Sequence, residues 1–142
     1  MRARIMYAAT CALNELTMFG RKGGDWGVHG LGHVFSFLYG IPHGATLSAI
    51  YPAWMRHIAT RDEARITEFG KAVFGVAGVD KTIEQTMKMF SSFLSPVSLS
   101  DLKIGNFDEE KVIEAMVKSG ATGYHYGLNE EDFRAILGYM KV

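Results

Sequence analysis

Apolar residues recur at intervals of three and four along most of the chain, which is the spacing of an α-helix. In the first such stretch, Ile5, Ala9, Ala12 and Leu16 fall on one face. No run of alternating apolar and polar residues is long enough to predict a strand. The sequence therefore predicts an all-α fold, a compact bundle of about seven helices over residues 2–19, 26–39, 43–59, 62–74, 80–94, 108–118 and 130–140.

Helix boundaries are marked by polar residues whose side chains can accept the first free N–H groups of a helix. Five such residues precede predicted helices and are expected to cap them: Asp25, Thr60, Asp80, Asp108 and Asn129. The last helix has Asp132 at its third position, where a full capping box has Glu or Gln, so we expect only a partial box. Pro52 lies inside the third predicted helix, which should kink or restart there.

Composition limits the class of protein. The 142 residues suit one domain, and 15 basic against 15 acidic side chains argue against a general nucleic-acid binder. Cys11 is the only cysteine, which excludes a disulfide framework and fits a reducing cytoplasm. No apolar run approaches the length of a membrane span.

Three of the five histidines lie within fifteen residues. His29 and His33 are one helical turn apart on one face, and His43 follows a Gly-Ile-Pro break that can turn the chain back. Neutral imidazole is the commonest metal ligand in proteins, so this stretch predicts part of a metal site. Nitrogen ligands suit zinc, iron, nickel or copper. The alternative is a buried helix whose histidines hydrogen-bond to backbone carbonyl groups.

The remaining chemical groups carry weaker signals. Asp25 stands four residues before His29 and could extend the metal site, although a capping role is the simpler interpretation. His57 is expected to face solvent, and His125, between two tyrosines, to be part of a loop. Trp26 and Trp54 are expected in the core. The glycine-rich segment 20–24 follows a helix rather than a strand, so it predicts no phosphate-binding loop.

Five short motifs lie along the chain: Ala8-Ala9-Thr10, Gly24-Asp25-Trp26, His29-Gly30-Leu31-Gly32-His33, Pro42-His43-Gly44 and Pro52-Ala53-Trp54. Together they resemble the C-terminal domain of the iron-containing (group III) alcohol dehydrogenases. The resemblance extends over nearly the whole chain and is closest to the NADPH-dependent butanol dehydrogenase or aldehyde reductase branch. It implies a dehydroquinate synthase-like architecture.

The resemblance implies roles for the three histidines. His29 and His43 match two ligands of a catalytic metal, Fe(II) or, in some members, Zn(II). His33 matches a histidine that does not bind the metal and is a candidate for proton relay or substrate orientation. In the family the metal acts as a Lewis acid on an alcohol or aldehyde oxygen while hydride passes to or from NAD(P).

The family also uses an aspartate and a histidine on an upstream helix, and an N-terminal domain that binds the dinucleotide. Neither is found in this sequence. We therefore expect residues 1–142 to form one all-helical metal-binding domain, a C-terminal fragment with two of four metal ligands and little dehydrogenase activity of its own. Its classification as an enzyme stays open. The alternative is a stand-alone helical module that binds metal or self-associates, and we expect a homo-oligomer or pairing with the missing domain.

Overall fold

The computed structural model describes residues 1–20 and 23–141, so Arg21 and Lys22 of the glycine-rich segment lie outside the described residues. Within these ranges the chain forms seven α-helices and no strand, which confirms the predicted all-α class. The helices are α1 (Arg2–Leu13), α2 (Gly27–Tyr39), α3 (His43–Ile58), α4 (Glu63–Phe74), α5 (Val79–Ser92), α6 (Glu109–Ser119) and α7 (Glu130–Met140). Two short 3-10 helices, Leu16–Met18 and Ser100–Leu102, lie in the connections.

Helix α3 is the centre of the bundle. It packs against α2, α5 and α7, while α6 joins α2 to α7 and α4 packs on α5. The sequence predicted a kink or a restart at Pro52, and the helix does not restart there but continues to Ile58. Its apolar residues meet those of the neighbouring helices in one core, whose largest fully buried side chains include Leu31, Phe35, Ile50, Met55, Ile58, Ile83, Met116, Ile136 and Leu137. No helix among the described residues is long and apolar enough to cross a membrane.

The first predicted helix was too long. Helix α1 ends at Leu13, where the Asn14 side chain accepts the N–H of Leu16 and Glu15 takes a positive φ of 67°. No residue of α1 is buried. Its apolar side chains are exposed, among them Met6, Tyr7 and Leu13. The helical spacing in this stretch was therefore real but did not indicate contact with the core.

Three of the five predicted caps need correction. Trp26 has a φ of 63° and occupies the cap position of α2, so this helix begins at Gly27 rather than Trp26. The Thr60 hydroxyl donates to the carbonyl of His57 at the end of α3, and Asp62 caps α4 instead. Helix α5 starts one residue before Asp80, after Gly78.

Two predicted caps are confirmed, and one is better than expected. The Asp108 side chain accepts the N–H of Lys111. Asn129 accepts the N–H of Asp132, and the Asp132 carboxylate accepts the N–H of Asn129 in return, 2.9 Å away. The capping box is thus complete, because the shorter aspartate still reaches the cap backbone.

Candidate metal centre

The three clustered histidines meet where α2 turns into α3. Helix α2 ends at Tyr39, Gly40 adopts a left-handed φ of 66°, and α3 begins directly at His43. This three-residue connection places the first turn of α3 against the middle of α2. The contact needs a glycine at position 32, because a Cβ there would lie 2.9 Å from the Thr46 hydroxyl and 3.1 Å from the His43 ring.

The imidazole rings are in direct contact. Nε2 of His43 lies 3.3 Å from Nδ1 of His29. His33 stacks on His43 with ring centroids 4.1 Å apart and planes 9° from parallel, while His29 stands edge-on to both. One nitrogen from each of the three rings falls within 4.8 Å of the others. His29 and His43 are half-buried and His33 is exposed.

The surroundings keep the two half-buried rings neutral. Burial lowers the pKa of His29, and the neighbouring His33 lowers it further. Burial likewise lowers the pKa of His43, together with His33 and His29, and only the Gly32 backbone acts in the opposite direction. At neutral pH both rings therefore offer lone pairs rather than positive charge, which is the state that a metal ion requires.

The donor set fits a metal ion. Two nitrogens about 2.1 Å from a tetrahedral ion lie roughly 3.4 Å from each other. The 3.3 Å between His29 Nδ1 and His43 Nε2 agrees with that spacing. Imidazole ligands suit iron and zinc alike, so the nitrogens alone do not select between them.

An open cavity of about 880 Å³ adjoins the histidines. His29 and His33 lie on its wall beside Trp26, Phe37 and Tyr124. Trp26 is 48% exposed and stands edge-on to His29, so its predicted place in the core was wrong, whereas Trp54 is buried as expected. The cavity gives a small organic molecule room to reach the histidines from a largely apolar surface.

Asp25 is bonded through its carboxylate to backbone N–H groups. Its carboxylate accepts the N–H groups of Gly27 at 3.0 Å, His125 at 2.8 Å and Tyr126 at 3.3 Å. Its backbone carbonyl accepts the N–H of Tyr124. Asp25 therefore fastens the loop that carries Tyr124 to the start of α2. Its carboxylate accepts hydrogen bonds from backbone N–H groups, and it is not one of the side chains that, among the described residues, are grouped closely enough to hold a metal ion, which are His29, His33 and His43.

His57 was expected to face solvent, and this is wrong. It is only 9% exposed, and its Nε2 lies 2.8 Å from the Asp132 carboxylate. Arg61 donates to the same carboxylate oxygen. His125 is in a loop as expected, exposed, with its Nε2 3.3 Å from the carbonyl of Gly23. The His57–Asp132 contact could not be predicted from the sequence, because the two residues are 75 positions apart.

Comparison with known proteins finds relatives over nearly the whole chain. Residues 1–139 match the family described as "Fe-containing alcohol dehydrogenase family, C-terminal". The chain is 31% identical to a probable NADH-dependent butanol dehydrogenase of Bacillus subtilis, over 96% of this chain and 37% of that protein. It is 27% identical to the NADPH-dependent aldehyde reductase YqhD of Escherichia coli, over 86% and 33%.

The fold is that of a solved structure. The crystal structure of YqhD from Escherichia coli K-12 superposes on 99% of this chain with a TM-score of 0.89 and 26% identity, and the match covers 38% of the YqhD chain. The chain thus spans about a third of the length of the relatives it matches.

Proposed function

The chain belongs to the Fe-containing alcohol dehydrogenase family, whose C-terminal part it represents, and we propose from this that it supplies the metal-binding half of an alcohol or aldehyde oxidoreductase. The single observation that carries the proposal is the approach of His29 and His43, 14 residues apart, to 3.3 Å. In this proposal both histidines are metal ligands.

The ring orientations favour these two ligands over His33. Imidazole binds a metal ion in the plane of its ring, where the nitrogen lone pairs lie. The His33 ring is parallel to the His43 ring and displaced from it by stacking. An ion in the plane of the His43 ring therefore lies outside the plane of the His33 ring. In this proposal His33 does not bind the metal, and its ring nitrogens can exchange protons.

His33 is placed to handle a proton beside the metal. It is exposed, and it shares the 880 Å³ cavity with His29. When bound, the metal supplies Lewis acidity to an alcohol or aldehyde oxygen. His33 orients that substrate and exchanges a proton with it or with solvent, as general acids and bases do. Trp26, Phe37 and Tyr124 present apolar surface to the carbon chain of the substrate.

The metal and the dinucleotide are part of the proposal. We propose Fe(II) or Zn(II) as the metal and NAD(P) as the hydride carrier. The nitrogen ligands and the names of the relatives support this choice, one being NADH-dependent and another NADPH-dependent. In the resembled family, dinucleotide binding and two further metal ligands come from outside the region matched here, and the whole protein's activity depends on them.

A zinc titration tests the proposed ligands. We expect the 142-residue chain to bind one Zn(II) weakly, because two histidines leave half the coordination sphere to water. His29→Ala and His43→Ala should each weaken binding at least tenfold, and His33→Ala should change it less than threefold. Calorimetry at pH 7.5 measures this directly. Equal losses in all three variants would contradict the assignment.

Turnover of the isolated chain is a second test. We expect no oxidation of NADPH when the 142-residue chain is mixed with Fe(II) or Zn(II) and butyraldehyde, because these residues hold the metal-binding half of the chemistry. The absorbance of NADPH reports the reaction. Clear turnover, abolished by His43→Ala, would show that the chain needs nothing more.

One observation favours a second candidate, a self-associating helical module. Helix α1 exposes Met6, Tyr7 and Leu13, each at least 69% accessible, and Phe19 beyond it is 80% accessible. Exposed apolar patches often mark surfaces that other protein covers. Sedimentation velocity discriminates, since self-association predicts a species that grows with concentration. A single monomer over the whole concentration range would count against this candidate.

A further inference from the structure

Thr46 lies one helical turn beyond His43 and is fully buried at the contact of α2 with α3. Its hydroxyl is 2.8 Å from the backbone carbonyl of His43 and 3.5 Å from Nδ1 of the His43 ring. The space that the hydroxyl fills is left by Gly32, whose missing Cβ would be 2.9 Å away. The hydroxyl therefore touches the one edge of the ring that faces away from His29.

The distances decide which group donates. A hydroxyl has one proton and two lone pairs. The shorter contact assigns the Thr46 proton to the His43 carbonyl, which can only accept. A hydrogen bond across the 3.5 Å contact then requires the Thr46 oxygen as the acceptor and a proton on Nδ1 of His43. A neutral ring protonated on Nδ1 has its lone pair on Nε2.

We propose that Thr46 is a positioning residue that holds His43 in the Nδ1–H form and so directs its Nε2 lone pair at His29, where a metal would bind. A ligand histidine is commonly fixed in this way by a partner on its second nitrogen. The inference rests on the proposed function, in which His43 is a metal ligand. It has a consequence without metal: His29 must donate from Nδ1 across the 3.3 Å contact, since His43 Nε2 accepts.

Histidine nitrogen NMR of the metal-free chain at pH 8 tests the tautomers. We expect His43 and His29 to be predominantly Nδ1–H in the wild type and in Thr46→Ser, which keeps the hydroxyl. In Thr46→Val, which keeps the shape and removes the hydroxyl, the His43 signals should move at least partly to the Nε2–H form. Ser48→Ala is the matched control, because Ser48 donates to the carbonyl of Ala45 in the same helix.

Two results would overturn the inference. One is a wild type in which His43 is Nε2–H, and the other is a Thr46→Val spectrum identical to the wild type. If Thr46→Val does not fold, an Nε2–H ring of His43 in the wild type or in Thr46→Ser would still overturn the inference.

Zinc calorimetry separates this inference from the proposed function. Thr46→Val should bind Zn(II) about tenfold more weakly than the wild type, while Thr46→Ser and Ser48→Ala stay within threefold. Zinc binding that is unchanged in Thr46→Val overturns the inference and leaves the proposed function intact. A wild type that shows the expected tautomers but binds no zinc contradicts the proposed function instead.

Discussion

Replacing Asp132 with alanine is expected to lower the free energy of unfolding by about 3–5 kcal/mol, the range found when one partner of a buried ion pair is removed. Asp132 is 5% exposed and is bonded by His57 and Arg61. It also accepts the backbone N–H of Asn129. Alanine would leave His57 buried without its partner and open the capping box of α7, so α3 and α7 would lose their polar link. Urea denaturation at pH 7 measures the difference.

The free energy of unfolding that is lost in Asp132→Ala should depend on pH. Burial alone would raise the pKa of Asp132, but the Asn129 N–H, the His57 hydrogen bond and the Arg61 charge together lower it. Because the pKa of Asp132 is lower in the folded state, its carboxylate stabilises the fold at any pH above the unfolded-state pKa of about 3.9. This stabilisation is lost as the pH falls through the folded-state pKa. The difference between wild type and Asp132→Ala should therefore be largest near neutral pH and shrink below about pH 4.

The control lies one residue away. Glu131 has the same charge in the same first turn of α7 but is exposed, so Glu131→Ala should cost no more than about 0.5–1 kcal/mol. Similar losses in the two variants would show that only the interaction with the helix dipole matters. That result would contradict the importance assigned to the buried link with His57.

Replacing Asp25 with alanine is expected to lower the free energy of unfolding by about 2–4 kcal/mol, because three N–H groups lose a charged acceptor. These donors belong to Gly27 at the start of α2 and to His125 and Tyr126 in the loop, about a hundred positions apart in sequence. Gly123, at a φ of 77°, fits only because no Cβ meets the Asp25 carboxylate. Urea denaturation measures the loss, and hydrogen exchange should show the amides of His125 and Tyr126 exchanging faster.

Two further variants are controls for Asp25→Ala. Asp25→Asn keeps one acceptor oxygen and should lose about 1–2 kcal/mol. Asp80→Asn removes an aspartate that is 91% exposed and 3.6 Å from Arg56, so its effect should stay within about 0.5 kcal/mol. Unchanged exchange at His125 and Tyr126 in Asp25→Ala would contradict the account of how the loop is held.

Helical periodicity was sufficient to predict the fold class because the stripes of the helices that form the core are long and regular. Leu31, Phe35 and Ile50, apolar residues of α2 and α3, are fully buried. Periodicity does not show whether the apolar face of a helix packs against the core. Helix α1 is an example, since its pattern is regular and none of its residues is buried. The predicted helix boundaries were wrong at Glu15 and Trp26, where the backbone has a positive φ. Neither residue type favours that conformation, so the sequence does not predict it.

The candidate site was predictable only in part. The spacing of His29, His33 and His43 around a Gly-Ile-Pro break was enough to predict that the rings meet. The structural roles of Asp25, Thr46 and Asp132 could not be predicted from the sequence. Each role depends on a hydrogen-bond partner that helix packing or a turn brings close. A hydrogen bond between α3 and α7, or between Asp25 and a loop a hundred residues later, leaves no periodic trace.

We propose that His29 and His43 bind a metal ion and that His33 does not. Crystals of the 142-residue chain grown with excess Zn(II), measured on both sides of the zinc absorption edge, test it most directly. We expect one anomalous peak about 2.0–2.2 Å from a nitrogen of His29 and of His43, with no bond to His33. A peak bound to His33, or no peak at this cluster, would contradict the account.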